Sequence, residues 1–283
     1  MKKCKPIVNI QKINAYLTFL REQERSAATI QKYGHDLRTF LDFAGKMPFS
    51  KITVIAWKEQ LMASYVPATV NSMLAAINGY LRFFGWGELQ VKPLKIQQAL
   101  FLEERRELTK KEYARLVAAA QKKENERLAL VIQTICATGI RVSELKYITV
   151  ESLQTGRAEI RNKGKLRLVF LPGKLRRVLK QYAQKQKKTA GAVFTTRTGK
   201  ELDRSNIWRD MKSLCESAGV AREKVFPHNL RHLFARTFYG LEQDLSRLAD
   251  ILGHSSINTT RVYTAESGAV HAAQMERLGL VIT

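Results

Sequence analysis

The sequence predicts a mainly helical protein of two domains with a small β element. Its 283 residues are too many for one ordinary domain and suit two domains of ~100–200 residues each. Hydrophobic residues make up 45% of the chain and charged residues 26%, which is typical of a chain that folds around a core. Apolar residues recur with a helical period along most of the chain, and one short segment alternates as a β-hairpin does.

Four helices are predicted in the first hundred residues. Apolar residues recur every three or four positions from Ile30 to Phe40, and Ser26 is available as the N-cap of that helix. Pro67 opens a second such run in the first helical turn, where proline is tolerated, and Gly85 ends it. The other two helices are predicted over about 9–22 and 50–63.

A linker is predicted over residues 101–107, which carry little periodicity and a run of charged side chains. Thr109 and Glu112 then have the spacing of a capping box, so a new helix starts directly after the linker. The predicted domains therefore span residues 1–100 and 108–283.

The second domain is predicted to be mostly helical around one hairpin. Residues 157–161 and 166–171 have the composition of strands, and Asn162-Lys163-Gly164-Lys165 between them resembles a hairpin turn. Helices are predicted over about 174–187, 203–218, 227–239, 244–252 and 268–278.

The charge of the chain indicates a polyanionic partner. Lys and Arg number 48 against 25 Asp and Glu, which gives a net charge of +23, with +8 on residues 1–100 and +15 on the rest. Such an excess on both halves is typical of nucleic-acid-binding proteins, although a merely basic protein, for example a ribosome-associated one, has the same balance.

Several other protein classes are disfavoured. No apolar run approaches the ~18–20 residues of a membrane span, and no apolar segment follows the basic N-terminus as in a secretory signal. Three widely spaced cysteines suit neither a disulfide framework nor a zinc site. We therefore expect a cytoplasmic, nucleoid-associated protein without a membrane partner.

Five short segments carry the residues of chemical interest, and none of them is the G-x-x-x-x-G-K-[ST] loop of ATP-driven enzymes. In chain order they are Ala137-Thr138-Gly139-Ile140-Arg141-Val142-Ser143-Glu144-Leu145, the Lys163 turn, Pro227-His228-Asn229-Leu230-Arg231-His232, Leu252-Gly253-His254-Ser255 and Thr259-Thr260-Arg261-Val262-Tyr263-Thr264. Their order and spacing resemble the tyrosine recombinase family, the lambda-integrase type of site-specific recombinase. The resemblance covers nearly the whole chain.

The resemblance implies a fold and a reaction. The fold is an N-terminal four-helix core-binding (SAM-like) domain that binds DNA, followed by a mixed α/β catalytic domain. In the reaction, a tyrosine hydroxyl attacks a DNA phosphodiester, which gives a 3′-phosphotyrosyl bond and a free 5′-hydroxyl. The bond energy is retained, so neither ATP nor a metal nor another cofactor is required. Strands of two paired recombination sites in double-stranded DNA are exchanged through a Holliday junction, which results in integration, excision or resolution.

Tyr263 is the nucleophile that the resemblance implies, since it follows the Leu-Gly-His motif by nine residues. A free tyrosine has a pKa of about 10 and needs help to react at neutral pH. Arg141 and Arg231 are the implied phosphate clamp, because two guanidiniums can hold the non-bridging oxygens with forked hydrogen bonds that lysine cannot make.

The remaining site residues follow the same resemblance. His228 is the implied general acid or base toward the tyrosine, His254 a hydrogen-bond donor to the scissile phosphate, and Lys163 the general acid for the leaving 5′-oxygen. Glu144 and His232 are expected to support them. His228 and His232 also have a spacing of four, which can chelate a metal, but no third ligand is evident and no metal is expected.

The resemblance also implies partners. A C-terminal helix over about 268–278 would dock on a neighbouring protomer and build a homotetramer on two DNA sites, with an accessory protein or a second recombinase as a further partner. The chain begins almost directly with the core-binding helices, which favours an Xer-like or small mobile-element recombinase without an arm-binding domain.

Polar helix faces of the first domain suggest the residues that contact DNA bases: Lys32, Arg38, Lys58, Asn71 and Arg82.

Two other functions stay open at this point. A type IB topoisomerase shares the tyrosine, arginine and lysine chemistry but relaxes DNA as a monomer. A non-catalytic DNA-binding protein could use the same scaffold, although the full set of catalytic residue types disfavours it.

Overall fold

The chain forms two compact units, Met1–Gln98 and Ala99–Thr283. Each has a hydrophobic core of its own. Within the part of the chain that the structure describes, no helix is long and apolar enough to cross a membrane. The computed structural model describes residues 6–45, 47–96, 106–162, 165–254, 256–263 and 276–278.

The first unit contains the four helices that the apolar periodicity predicts. They are α1 Ile10–Glu22, α2 Ala27–Ala44, α3 Lys51–Ser64 and α4 Pro67–Phe83. Ser26 caps α2 by accepting a hydrogen bond from the backbone N–H of Thr29, and α4 begins with Pro67, whose missing N–H would have no helical partner there. The helices thus begin where their capping residues predict.

Aromatic rings fill the core of the first unit. Phe40 meets Trp57 edge to face with ring centres 5.0 Å apart, and Tyr16 meets Tyr80 in the same way at 5.9 Å. Trp57 and Tyr80 are almost fully buried. Each such ring buries roughly 150–250 Å² on folding, which at about 25 cal/mol per Å² stabilises the unit by several kcal/mol.

The second unit is mostly helical around a hairpin, as predicted. Its helices and strands are α5 Lys110–Lys122, α6 Glu126–Thr138, α7 Val150–Thr155, β1 Arg157–Asn162, β2 Lys165–Phe170, α8 Gly173–Lys185, α9 Arg204–Lys212, α10 Cys215–Ala218, α11 Pro227–Glu242, α12 Leu245–Leu252 and α13 Ile257–Thr260. The predicted capping box opens α5: Thr109 Oγ1 accepts from the backbone N–H of Glu112 at 3.1 Å, and Glu112 Oε2 accepts from that of Thr109 at 2.8 Å. Helix α6 is buried along most of its length and packs against α11.

The hairpin has one face toward the core and one exposed face. β1 and β2 pair antiparallel, with Ile160 opposite Arg167. Ala158, Ile160 and Val169 are buried, and Arg167 lies on the same face because side chains alternate along a strand. The inner face of the hairpin therefore carries one arginine among apolar side chains.

The predicted single helix over 203–218 is wrong. Helix α9 ends at Lys212 and α10 begins at Cys215. The Ser213 hydroxyl donates to the carbonyl of Asp210 at 2.8 Å, and the backbone N–H of Leu214 donates to a carbonyl three residues back, so the last turn tightens and the helix stops.

Two helices were too short for the periodicity to predict, and two predicted segments lie mostly outside the described residues. Helices α7 and α13 contain six and four residues, less than two turns each, and no predicted helix matches them. Of the predicted helix over 268–278, the structure describes residues 276–278, and the rest lies outside the described residues. The predicted linker over 101–107 lies outside them as well, apart from its last two residues.

Candidate active site

The loop after α6 carries Arg141, and it begins with a tight turn at Gly139. Gly139 ends α6 with a left-handed φ of +65°, and a Cβ there would lie 2.5 Å from the ring of Phe234. The backbone N–H of Arg141 donates to Glu144 Oε2 at 2.8 Å and its Nη1 donates to Glu144 Oε1 at 2.9 Å. Glu144 is 2% exposed, so a buried carboxylate fixes both the main chain and the guanidinium of Arg141.

Arg231 lies about one turn from the start of α11 and is 1% exposed. Its Nη1 donates to the carbonyl of Gly139 at 2.6 Å and its Nη2 to the carbonyl of Leu252 at 2.7 Å. Its Nε is buried without a hydrogen-bond partner. Burial, followed by repulsion from Arg141, lowers the pKa of Arg231 to about 10, which leaves it protonated at neutral pH. The guanidinium thus stays charged although it is buried.

His254 joins this arginine to the segment of the tyrosine. Its Nε2 lies 3.0 Å from Arg231 Nη2 and its Nδ1 lies 2.8 Å from Thr260 Oγ1. A guanidinium only donates, so Nε2 accepts, and the ring proton sits on Nδ1 and is donated to Thr260. Both ring nitrogens are therefore occupied within the protein.

Tyr263 is packed between two histidines and is 5% exposed. Its ring stacks on His254 with centres 6.1 Å apart and planes at 17°, and it meets His232 edge to face at 5.0 Å and 90°. It belongs to a small apolar cluster with Ala235, Leu248 and Leu252. The candidate nucleophile is thus one of the buried residues of the site.

His228 lines an open cleft of about 730 Å³ that also includes Arg141 and Arg231. Enclosure of the ring, and then electrostatic repulsion from His232, Arg231 and Arg141, lower the pKa of His228 to about 4. The imidazole is therefore neutral at pH 7 and can accept a proton. Arg204 and Trp208 of α9 line the same cleft, and the sequence analysis did not identify either of them.

Three further residues of this unit contact the site and were missed from sequence. Arg167 Nη2 lies 2.5 Å from Glu144 Oε2, and its Nη1 donates to the carbonyl of Ile251 at 2.9 Å. Glu107 lies 2.6 Å from Arg236 Nη2 and 3.7 Å from His232 Nδ1. The only sequence signal for Arg167 is its register, since alternation puts it on the inner face of β2 among apolar residues.

The structure therefore brings together seven of the eight predicted catalytic and supporting residues. The eighth, Lys163, lies outside the described residues. Among the residues that the structure does describe, no group of three or more His, Cys, Asp and Glu side chains is arranged to hold a metal ion. The assembled residues are Arg141, Glu144, His228, Arg231, His232, His254 and Tyr263.

Three of the five predicted base-contacting residues make contacts within their own unit. Lys32 forms a salt bridge with Asp36, one turn along α2, and Lys58 Nζ donates to the carbonyl of Lys92 at 2.9 Å. The Asn71 amide donates to the carbonyl of Leu94 at 2.9 Å and accepts from the N–H of Leu94 at 2.7 Å. In this structure the Asn71 amide fastens a segment of the fold.

The other two base-contacting predictions are differently placed. Arg38 lines an open cleft of about 620 Å³ on α1 and α2, together with Arg21 and Arg25, which the sequence analysis did not identify. Three arginines along one cleft suit the phosphates of a nucleic acid. Arg82 is exposed on α4.

The free protein is expected to lose stability in acid through His254. Burial, and then the charges of Arg231, Arg141 and Arg167, lower the pKa of His254 from 6.5 to about 4. The unfolded chain then binds a proton that the folded chain does not, so stability is full above pH ~6.5 and falls as the pH drops toward ~4. In His254→Gln this loss of stability in acid is absent; it is of the order of 2 kcal/mol, because solvent screens part of the effect at the half-buried ring.

Urea unfolding of the wild type and of His254→Gln between pH 4 and 8 measures this difference. We expect the two free energies to converge or cross below pH 6.5 and to run parallel above it. His35→Gln, at an exposed position on α2, is the control. Curves that stay parallel over the whole range would refute the depressed pKa of His254.

Comparison with known families extends these observations. Residues 106–269 match the family described as Phage integrase family, and this match covers more than half of the chain. Residues 13–86 match the family described as Phage integrase, N-terminal SAM-like domain. The two matches fall in the two compact units.

Individual proteins are similar over nearly the whole chain. The tyrosine recombinase XerA of Pyrococcus furiosus is 27% identical, with 95% of this chain and 94% of the relative covered. XerC of Roseiflexus castenholzii is 29% identical, with 90% and 88% covered. The fold resembles that of XerH bound to a palindromic difH substrate, with a TM-score of 0.70 at 19% identity and 99% and 91% covered. It also resembles a lambda integrase tetramer bound to a Holliday junction, with a TM-score of 0.72 at 16% identity and 91% and 77% covered.

Proposed function

This chain belongs to the phage integrase family and is a tyrosine-type site-specific recombinase, and from this premise we propose how its residues divide the reaction. Tyr263 is the nucleophile, and Arg141 and Arg231 bind the scissile phosphate. The observation that carries the proposal is the convergence of these two guanidiniums with His254 and a buried tyrosine at one place in the second unit. We further propose that residues 1–100 form the core-binding domain and 108–283 the catalytic domain, joined by 101–107.

The charge of the site suits the binding of a phosphodiester. Glu144 is the carboxylate that contacts Arg141 and Arg167, and Arg231 adds a third guanidinium nearby. One negative charge thus faces three positive ones. In the transition state the negative charge on the non-bridging oxygens grows, and fixed cations that need no rearrangement stabilise it.

The Thr260 hydroxyl lets His254 bind a phosphate in its other tautomer, with the Nδ1 proton given up to solvent and Nε2 protonated from solvent. A phosphate oxygen that takes the Arg231 N–H releases His254 Nε2 from its role as acceptor. The Thr260 hydroxyl can donate as well as accept, so it supports either tautomer of the ring. With the proton on Nε2, His254 donates to the phosphate.

The bond changes balance without an added cofactor. The phenolic oxygen of Tyr263 bonds to phosphorus, its proton passes to neutral His228, and the bond from phosphorus to the 5′-oxygen breaks. Lys163 protonates that oxygen, a role that rests on the family resemblance. Attack by the 5′-hydroxyl of the other site reverses these steps and joins the exchanged strands.

Assembly on DNA is proposed by analogy with the solved neighbour that is a tetramer on a Holliday junction. We propose that this chain acts as a homotetramer on two paired sites in double-stranded DNA, through a C-terminal helix over 268–278. An accessory protein or a second recombinase completes the set of proposed partners.

Covalent capture tests the proposed function. The protein is incubated with fragmented genomic DNA of its source, denatured with detergent, and the protein-linked DNA is sequenced. We expect adducts at one repeated sequence, which would then recombine when two copies are placed on a plasmid. Adducts scattered without sequence preference would overturn site-specific recombination in favour of DNA relaxation.

A further inference from the structure

We propose that Arg167 is a positioning residue for DNA cleavage: it shares the charge of Glu144, so that Arg141 stays available to the phosphate, and it holds the turn that presents His254. This inference rests on the proposed function. Arg167 has no predicted role in the sequence motifs, and its side chain points away from the exposed face of the hairpin.

The contacts of Arg167 connect three segments that are far apart in the chain. It extends from β2, its side chain is 13% exposed, and its Nη2 lies 2.5 Å from Glu144 Oε2. Its Nη1 donates to the carbonyl of Ile251 at 2.9 Å, at the end of α12. One guanidinium therefore fixes the strand after the Lys163 turn, the loop that carries Arg141 and the helix end before His254.

The charge balance gives Arg167 its first effect. Glu144 is ionised, because hydrogen bonding to Arg141 and the charge of Arg167 hold its pKa below the usual value although burial opposes this. A carboxylate paired with Arg141 alone would cancel the charge of that arginine. With Arg167 on the other oxygen, the group of three keeps a net charge of +1, and a phosphate still meets an attractive site.

The turn before His254 gives Arg167 its second effect. Gly253 ends α12 with a φ of +65°, and a Cβ there would lie 2.7 Å from Cδ of Arg167. The aliphatic part of the Arg167 side chain thus packs directly against this turn, and the hydrogen bond to the Ile251 carbonyl adds a second contact. Loss of Arg167 would free the turn from β2 and let His254 move relative to Arg231.

A double-mutant cycle tests whether Arg167 acts through Glu144. The variants are Arg167→Met, Glu144→Gln and the two combined. The rate of covalent adduct formation is measured in single turnover at saturating DNA, on a suicide substrate with a nicked site. DNA affinity and melting temperature are measured separately on the same proteins, and Arg176→Met is the control, since Arg176 is an arginine that donates to the carbonyls of Leu153 and Gln154.

We expect Arg167→Met to slow cleavage by ~10–100-fold, the cost of misplacing a catalytic group by about 1 Å, with DNA affinity changed by no more than about threefold. In the Glu144→Gln background we expect Arg167→Met to slow cleavage by a smaller factor, because no buried carboxylate then loses the Arg167 contact. Arg176→Met, by contrast, lowers the melting temperature and leaves the rate unchanged.

Two outcomes would overturn the proposal. One is a folded Arg167→Met that cleaves at the wild-type rate, and the other is a loss of cleavage rate on Arg167→Met that is equal in the wild-type and Glu144→Gln backgrounds. If Arg167→Met does not fold, Arg167→Lys replaces it, since one ammonium cannot reach both Glu144 and the Ile251 carbonyl. A lysine variant within twofold of the wild type would also overturn it. Failure of the wild type to form any adduct would instead contradict the proposed function.

Discussion

Tyr263→Phe is expected to abolish covalent attachment to DNA while DNA binding and folding are retained. The substitution removes one oxygen and leaves the ring stacked on His254 and edge-on to His232. The apolar contacts with Leu248 and Leu252 also survive, so the free energy of unfolding should change by less than about 1 kcal/mol. Without the hydroxyl no phosphotyrosine can form, and we expect adduct below detection.

The measurement is the yield of protein-linked DNA after detergent treatment, together with a binding curve under native conditions. Tyr239→Phe is the matched control, because Tyr239 lies on α11 and packs against the same apolar cluster as Tyr263. It should form adduct at the wild-type rate. Adduct in Tyr263→Phe, or a DNA-linked peptide that contains a different tyrosine, would refute the assignment of the nucleophile.

Arg231→Lys is expected to lose most of the cleavage rate and part of the stability. Removal of one preorganised donor from a developing anion typically costs ~10²–10³-fold in rate, and a single ammonium cannot reproduce the planar fork of the guanidinium. The lysine also cannot reach the Gly139 and Leu252 carbonyls and His254 together. A buried carbonyl that loses its hydrogen-bond donor lowers the free energy of unfolding by ~1–3 kcal/mol.

The rate and the stability are separated by measuring both at 25 °C, the rate on protein that circular dichroism shows to be folded. Arg176→Lys is the control, since that arginine also donates to two backbone carbonyls. We expect it to lower the melting temperature without slowing cleavage. An Arg231→Lys variant that cleaves within a few-fold of the wild type would contradict the proposed phosphate contact.

Several features of the fold could be predicted because their causes are local. Ser26 and the Thr109–Glu112 pair mark helix starts through hydrogen bonds between residues three positions apart, and Pro67 marks one because it lacks the N–H that the first turn does not use. The hairpin strands are predicted to within one residue of their observed bounds, because alternation of side chains is a property of each strand. The break at Ser213 was missed because Ser213 and Leu214 keep near-helical backbone angles and the periodicity continues through them.

The residues proposed to carry the chemistry could be predicted from sequence, since their types and order lie in short motifs. How they are held could not be predicted, because it depends on tertiary packing. Arg231 bonds to carbonyls 92 and 21 residues away, and Arg167 bonds to Glu144 and Ile251 over 23 and 84 residues. Such bonds join segments that meet only when α6, β2, α11 and α12 pack together, and no local pattern encodes them. The same packing determines that His254 is protonated on Nδ1, because a buried guanidinium occupies its other nitrogen.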